Sequence, residues 1–486
     1  MSVLNLSRNT RVFFTTNVNA TTGVLTDANS GFTSSNTYEL QVLDGYSFTQ
    51  GTNSTAITIS EAGNTPTRGS RNFNTALNPV DFSFSTYIRP RLASSSNVTA
   101  IEGVLWNALT SAANIDYPAS SSLTANGASA TAISRSATAS VAGSSASTTI
   151  TGVVLTGTAT GLAVGDSINI SGVTSAQDWN GPGTITSLVA STNTTISVEY
   201  AKAPATTSGL SGTGTAIKFT KGSWTESIST SPIAYASFNG SNKNQLQKFA
   251  MIFLVDNVPY AIDNCVLDQA TIDFGLDAIS MIAWTGKGTQ LKRLNTITPT
   301  VLTSTWVAGT NYTQYSTAAQ YITNKLSTAS LVAGLTGTGQ SYTIPITGGS
   351  VTFANNVNYI TPSNLGVVNV PVGYYTGNRA ITGSMTAYLK TGTTGDAGDL
   401  LNTILSNINT SAELKYKLQV EIGGASNPVR MEIDMQGASL QVPAVDVADV
   451  VSTTINFAAQ GYNPNAADQQ FDLARSNDAT IRYFSA

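Results

Sequence analysis

Residues Gly45 to Gly63 read GYSFTQGTNSTAITISEAG, and residues Gly348 to Gly366 read GGSVTFANNVNYITPSNLG. Aligned without a gap at an offset of 303, eight of nineteen positions are identical: Gly45/Gly348, Ser47/Ser350, Thr49/Thr352, Asn53/Asn356, Ile57/Ile360, Thr58/Thr361, Ser60/Ser363 and Gly63/Gly366. A match of this kind marks a duplicated and fused module, so the chain is expected to carry two equivalent surfaces.

The echo extends further. Ser83 to Ile88 aligns with Ser384 to Leu389 at an offset of 301. A helix-like stretch follows each, Ala100 to Leu109 and Asp399 to Leu405. Val266 to Gly288 aligns with Ser439 to Gly461 at an offset of 173, with Leu267/Leu440, Asp273/Asp446, Ile282/Ile455 and Gly288/Gly461 identical and Trp284 matched to Phe457. Each half therefore reads strand, strand, helix, strands.

The change of offset locates an insertion. Ser83 and Gly288 are 205 positions apart, whereas Ser384 and Gly461 are 77 apart, leaving 128 extra residues in the first half. Most of them fall in 120–220, a Ser/Thr/Ala-rich spacer followed by short alternating segments between Gly-containing turns, the pattern of half-buried strands. The expected organisation is a first module in 1–119 and 221–300, an inserted small Ig-like β-domain in 120–220, and a second module in 301–486. Loop closure costs rise slowly with length, so an exposed loop tolerates such an insertion.

Charged residues make up 10% of the chain, against about a quarter in ordinary globular domains, while hydrophobic residues reach 41%, enough to build a core. β-Branched residues dominate the alternating runs. Phe249 to Val255, the longest strongly apolar block, is too short to span a bilayer and fits a buried strand. The N-terminal MSVLNLSRNTRVFF lacks an apolar signal core, which points to folding in a cytoplasm.

The chain has no histidine. That removes Ser-His-Asp and Cys-His nucleophiles, His-containing zinc sites and imidazole bases. The single cysteine, Cys265, has no internal disulfide partner and reads as a small packing residue. Asp263, Asp268, Asp273 and Asp277 cluster in one stretch, and paired carboxylates are glycosidase chemistry. Yet Asp273 has a counterpart in Asp446, which favours a repeated surface over a catalytic pair. Gly286-Lys287-Gly288 lacks the context of a phosphate-binding loop and reads as a strand-end turn. Trp179 reads as a core residue of the insert before a sugar-stacking one. Tyr374, Tyr375 and Phe471 read as packing or inter-subunit anchors. The tail from Gln460 to Ala486 reads as a polar loop.

Several blocks in one order resemble the tail tube (major tail) proteins of long-tailed bacteriophages. They are Leu6 to Phe13, Asn53 to Gly63 with Pro66 to Ser70, Phe73 to Ile88, Leu105 to Leu109, Trp284 to Leu291, Ile344 to Gly349 and Thr382 to Leu389. The likeness covers both halves and skips the insert. It is closest to the subtype in which one chain holds two fused tube modules.

The resemblance implies a mainly β fold of two duplicated sandwich or barrel modules, each with a flanking helix. It implies that three chains form a pseudo-sixfold ring, and that rings stack into a hollow tube lined by a continuous β-barrel. By the same resemblance the tube is expected to conduct genomic DNA in transit and to meet the tape-measure protein and the tail terminator and tip proteins. The resemblance also implies a place in the virion tail, assembly in the bacterial host cytoplasm, and no enzyme, cofactor, metal or membrane insertion.

A DNA conduit should present a neutral or acidic wall, because basic surfaces hold DNA through released counterions. The formal charge is −4, without a long Lys/Arg cluster. Lumen-facing acidic candidates are Asp273, Asp277, Glu432, Asp434, Asp446 and Asp449; the other reading is ordinary solvent-facing strand positions. The insert is expected outside the tube, as a coat or as a domain touching host-surface glycans. Two rival functions are a secreted or surface β-rich adhesin and a tail-associated polysaccharide-degrading enzyme.

Overall fold

The structure, a computed structural model, describes residues 10–26, 31–33, 36–58, 70–94, 97–100, 102–110, 246–256, 258–276, 278–294, 321–333, 340–392, 394–407, 415–424, 427, 429–447, 450–459 and 479–484, together with the strands of 122–237 named below.

The first half begins with β1 (Arg11–Thr15), β2 (Thr37–Leu40), β3 (Ser47–Thr58), β4 (Ser70–Tyr87), β5 (Pro90–Ser94), β6 (Asn97–Ala100) and α1 (Gly103–Thr110). Next come β7 (Ser122–Leu123), β8 (Ala130–Arg135), β9 (Thr149–Thr156), β10 (Ser167–Ser171), β11 (Gly181–Val189), β12 (Asn193–Tyr200) and β13 (Ser211–Lys221), which make a seven-stranded sheet of their own. The half closes with β14 (Trp224–Glu226), β15 (Ile233–Ser237), β16 (Phe249–Val255), β17 (Val258–Gly275), β18 (Met281–Gly288) and β19 (Gln290–Arg293).

The second half holds β20 (Thr328–Ala333), β21 (Ser341–Ile344), β22 (Ile346–Ala354), β23 (Val357–Ile360), β24 (Gly373–Thr376), β25 (Ala380–Tyr388) and α2 (Ala397–Asn407). It continues with β26 (Lys415–Ile422), β27 (Arg430–Leu440), β28 (Ala444–Asp446), β29 (Ser452–Ala459) and β30 (Thr480–Phe484). The fold is mainly β, and the two α-helices among the described residues fall in the expected stretches.

The pairing pattern of the first half recurs in the second. Antiparallel pairs run β2–β1–β16–β17–β18–β4–β3. In the second half they run β21–β20–β26–β27–β29–β25–β22. The registers also correspond. Ser47 lies opposite Ser83, and their sequence counterparts Ser350 and Ser384 lie opposite each other. Regular pairing breaks after Leu267 and after Leu440, and ends at Asp273 against Met281 and at Asp446 against Ser452. One expected match shifts. Trp284 lies opposite Phe84, while the counterpart of Phe84, Met385, lies opposite Ile455. The counterpart of Trp284 is thus Ile455, two residues before Phe457.

Alternation explains the strands. In β18 and β26 every second side chain is buried, so each strand buries one face. β16 (FAMIFLV) is buried on both faces. Phe249, Met251 and Phe253 enter one cluster, whereas Ala250, Ile252 and Leu254 enter another. Cys265 is buried with its thiol donating to the Ile262 carbonyl, and burial pushes its pKa well up. It is a packing residue.

The main core spans both halves. The Trp106 ring lies 4.9 Å from Trp284 and 5.3 Å from Phe353 of the second half, both edge-on. Its Nε1 donates to Tyr483 Oη on β30. This explains why α1 is buried along its whole length, whereas α2 buries only Ala397, Gly398, Leu400 and Ile404. At the start of α2, Asp396 Oδ1 accepts from the Asp399 amide and Asp399 Oδ2 accepts from the Gly395 amide, a reciprocal cap.

Two expectations need correction. The end of the tail is strand β30, because Ile481 and Tyr483 bury their side chains and the strand pairs with both β27 and β15. Gly286 and Gly288 lie within β18 rather than in a turn. Their absent side chains make room for the Phe82 ring and for Ile262: a Cβ would come within 2.3 Å and 2.4 Å of these.

Candidate assembly surface

β17 is long enough to serve two partners. Its first part pairs with β16, and its second part, Gln269–Gly275, pairs with β22 over Gly348–Ala354. That second pairing joins the halves into one sheet of order β3–β4–β18–β17–β22–β25–β29–β28. Among the described residues β3 pairs only with β4, and β28 only with β29. These two strands are the outer edges of the sheet.

Directly opposed residues share a face, so the rows can be read across the sheet. One row runs Tyr87, Met281, Asp273, Ser350, Ser384, Asn456. Beside it Thr271 and Thr352 share a hydroxyl hydrogen bond of 3.2 Å, and near the β3 edge Ser47 and Ser83 share one of 2.9 Å. This face is polar and largely open. The neighbouring row on the other face runs Thr86, Ile282, Ile272, Val351, Gly383, Phe457, and apart from the glycine all are buried. The sheet therefore sets an apolar side against the core and a hydroxyl-rich side toward open space.

The β23–β24 hairpin covers one end of the open face. Tyr359 Oη donates to the carbonyls of Asn264 and Lys287, and Tyr374 Oη donates to that of Leu246. The Asn369 backbone exchanges hydrogen bonds with Thr75 and Leu77 of β4. Tyr374 is thus a packing residue, whereas Tyr375 is exposed. The connecting loop exposes Leu365, Val367, Val368, Val370 and Val372 together.

The acidic candidates separate. Asp273 and Asp446 are exposed and hold corresponding register positions. Glu432 and Asp434 are buried in β27, between β26 and β30. Glu432 stands opposite Glu421, whose pKa is raised by burial and then by that like charge. Asp277 and Asp449, like Trp179 and Phe471, lie outside the described residues. Nearby, Lys287 Nζ sits 3.8 Å from an Asp81 carboxylate oxygen. Sequence reasoning named Asp273, Gly348, Ser350 and Thr352 as repeated positions but did not bring β17 and β22 together as a seam.

No family model matches the chain. Among the described residues the sheet carries two unpaired edges, and the sequence is similar to that of a phage tail tube protein. That relative is "Tail tube protein pb6" of Escherichia phage T5, 26% identical over 475 residues, covering 96% of this chain and 75% of the relative. The similarity agrees with the resemblance carried by the sequence blocks. It supports a structural, non-enzymatic role in a tail tube, as a component of the virion tail.

Proposed function

We infer that the chain is a duplicated tail-tube subunit, three copies of which close into a pseudo-sixfold ring, with rings stacking into the conduit for DNA. The observation that carries this reading is the β17–β22 seam, where one half docks on the other through edges that each half repeats. Among the described residues of one chain the matching outer edges, β28 and β3, are unused, and a free edge is a template for another strand. A head-to-tail contact of this kind closes into a ring when its rotation permits.

In this reading the seam's register implies the barrel's dimensions. A row followed across the first half runs Ser47, Ser83, Thr285, Gln269, Ala354. Ser47 corresponds to Ser350, so each four-stranded half advances the row by four residues. Shear then equals strand number. With strands about 4.8 Å apart and a rise of about 3.3 Å per residue, the tilt is about 35°, at the edge of the range for closed barrels. Three copies of the eight-stranded sheet give a barrel about 45 Å across between backbones, wide enough for duplex DNA.

The open hydroxyl-rich face lines the lumen in this reading, with Asp273 and Asp446 as its repeated carboxylates. Glu432 and Asp434 are left out because the chain itself buries them. The exposed apolar loop of the β23–β24 hairpin supplies a contact between stacked rings, since contiguous exposed apolar surface marks association sites. The seven-stranded insert decorates the outside. Partnership with the tape-measure, terminator and tip proteins rests on the resemblance alone. Negative-stain microscopy of the purified protein tests the proposal. Stacked threefold rings with a central bore are expected, and dispersed monomers would overturn it.

A further inference from the structure

We propose that β28 of one copy pairs antiparallel with β3 of a second copy of this chain, in the register that sets Asp446 opposite Ser47 and Ala444 opposite Thr49. The inference rests on the ring reading and adds the residues that meet. The chain carries its own template. At the internal seam Asp273 stands opposite Ser350, Thr271 opposite Thr352 and Phe274 opposite Gly349. β28 corresponds to this part of β17, and β3 corresponds to β22. Carrying each strand to its counterpart gives the proposed pairs, and the Asp–Ser pair is identical at both seams.

Burial points to the same place. Ile272 and Phe274 are 0% and 2% exposed, whereas their counterparts Val445 and Val447 are 44% and 80% exposed. Among the described residues, the strand that covers the first pair has no equivalent over the second within one chain. In the proposed register Phe48 and Tyr46 of the second copy fall opposite Val445 and Val447. Bulk is exchanged across the seam. Inside the chain the large Phe274 leans over Gly349, where a Cβ would lie 2.7 Å from its ring. At the outer edge the smaller Val447 meets the larger Tyr46. Pro443 offers no amide hydrogen, so regular pairing is confined to the short β28 that follows it. Two β3 edges or two β28 edges pairing with themselves would stop at a dimer. The internal template joins unlike edges, which propagates around a ring.

Cysteine pairs read the register. Directly opposed strand residues are close enough for a disulfide in either kind of antiparallel site, and diagonal ones exceed the usual span. In the full chain, Ala444→Cys is combined with Thr49→Cys or with Ser47→Cys, and Asp446→Cys with Ser47→Cys as a second in-register pair. The buried Cys265 stays as it is, and each single variant serves as control. On mild oxidation of assembled protein, the two in-register pairs are expected to give covalent multimers at least about tenfold more efficiently than the Ala444/Ser47 pair. Tubes that form with Ala444/Ser47 as the better cross-link would overturn the register and leave the tube standing. Absence of assembly in the unmodified chain would overturn both.

Discussion

Asp273 and Ser350 stand directly opposite each other where β17 of the first half meets β22 of the second. Beneath them Ile272 and Val351 are fully buried. Val445, the counterpart of Ile272, is 44% exposed, so one strand position is a core site in one half and a surface site in the other.

That asymmetry gives the first prediction. Ile272→Asp should destabilise the monomer by at least about 3 kcal/mol, because it buries an unpaired charge. Val445→Asp should change monomer stability by no more than about 0.5 kcal/mol, yet abolish ring formation, because the charge becomes buried only when a second copy docks. Thermal melts of dilute protein and sedimentation of concentrated protein read the two effects separately. Equal destabilisation by both would contradict the assignment of β28 as a free edge.

Gly286 and Gly383 solve one packing problem in the two halves, each facing a phenylalanine ring on the neighbouring strand. A Cβ on Gly286 would lie 2.3 Å from the Phe82 ring, and one on Gly383 2.4 Å from Phe457. Gly286→Ala should cost about 1–3 kcal/mol. Adding Phe82→Leu should recover part of that loss, which chemical denaturation of the single and double variants would show. A double variant no more stable than the sum of the two single effects predicts would contradict the contact.

The repeat was legible because the residues at the seam kept their identity: Ser47/Ser350 and Asp273/Asp446 align in sequence and hold matching pairings. The two-residue slip between Trp284 and Phe457 was not legible. A slip of two keeps every side chain on the same face, so alternation looks the same before and after it. β30 was also hidden, since it follows a polar stretch and its Ile481, Tyr483 and Phe484 are buried only because β15 and β27 come from distant parts of the chain. Glu432 and Asp434 looked like surface acids on an alternating strand. Their burial depends on β26 and β30 flanking them, which no local pattern records.

Glu102, fully buried at the start of α1, has its pKa raised from 4.5 to about 7, chiefly by desolvation and against the opposing pull of hydrogen bonds and Arg89. The unfolded chain releases this proton near 4.5, whereas the folded chain holds it to about 7. Between those values the folded state binds more protons, so stability falls as pH rises through that window, by roughly 3 kcal/mol in total. Glu102→Gln should flatten that part of the stability–pH curve. Denaturant midpoints measured from pH 4 to 8 check it, and an unchanged slope in the variant would refute the assignment.

Reversing the repeated carboxylates tests the lumen wall. Tubes of the Asp273→Lys/Asp446→Lys variant should retain short duplex DNA at low salt and release it steeply as salt rises, whereas unmodified tubes should not retain it. Filtration of tubes with labelled duplex measures the difference. Equal DNA retention by both would place these residues away from the bore.

The most direct test of the whole account is a helical reconstruction of the assembled protein at a resolution that separates strands. Threefold rings are expected whose inner wall is one closed sheet, with β28 of each copy hydrogen-bonded to β3 of the next and a bore flanked by Asp273 and Asp446. A ring whose copies meet through other surfaces, leaving β3 and β28 unpaired, would contradict it.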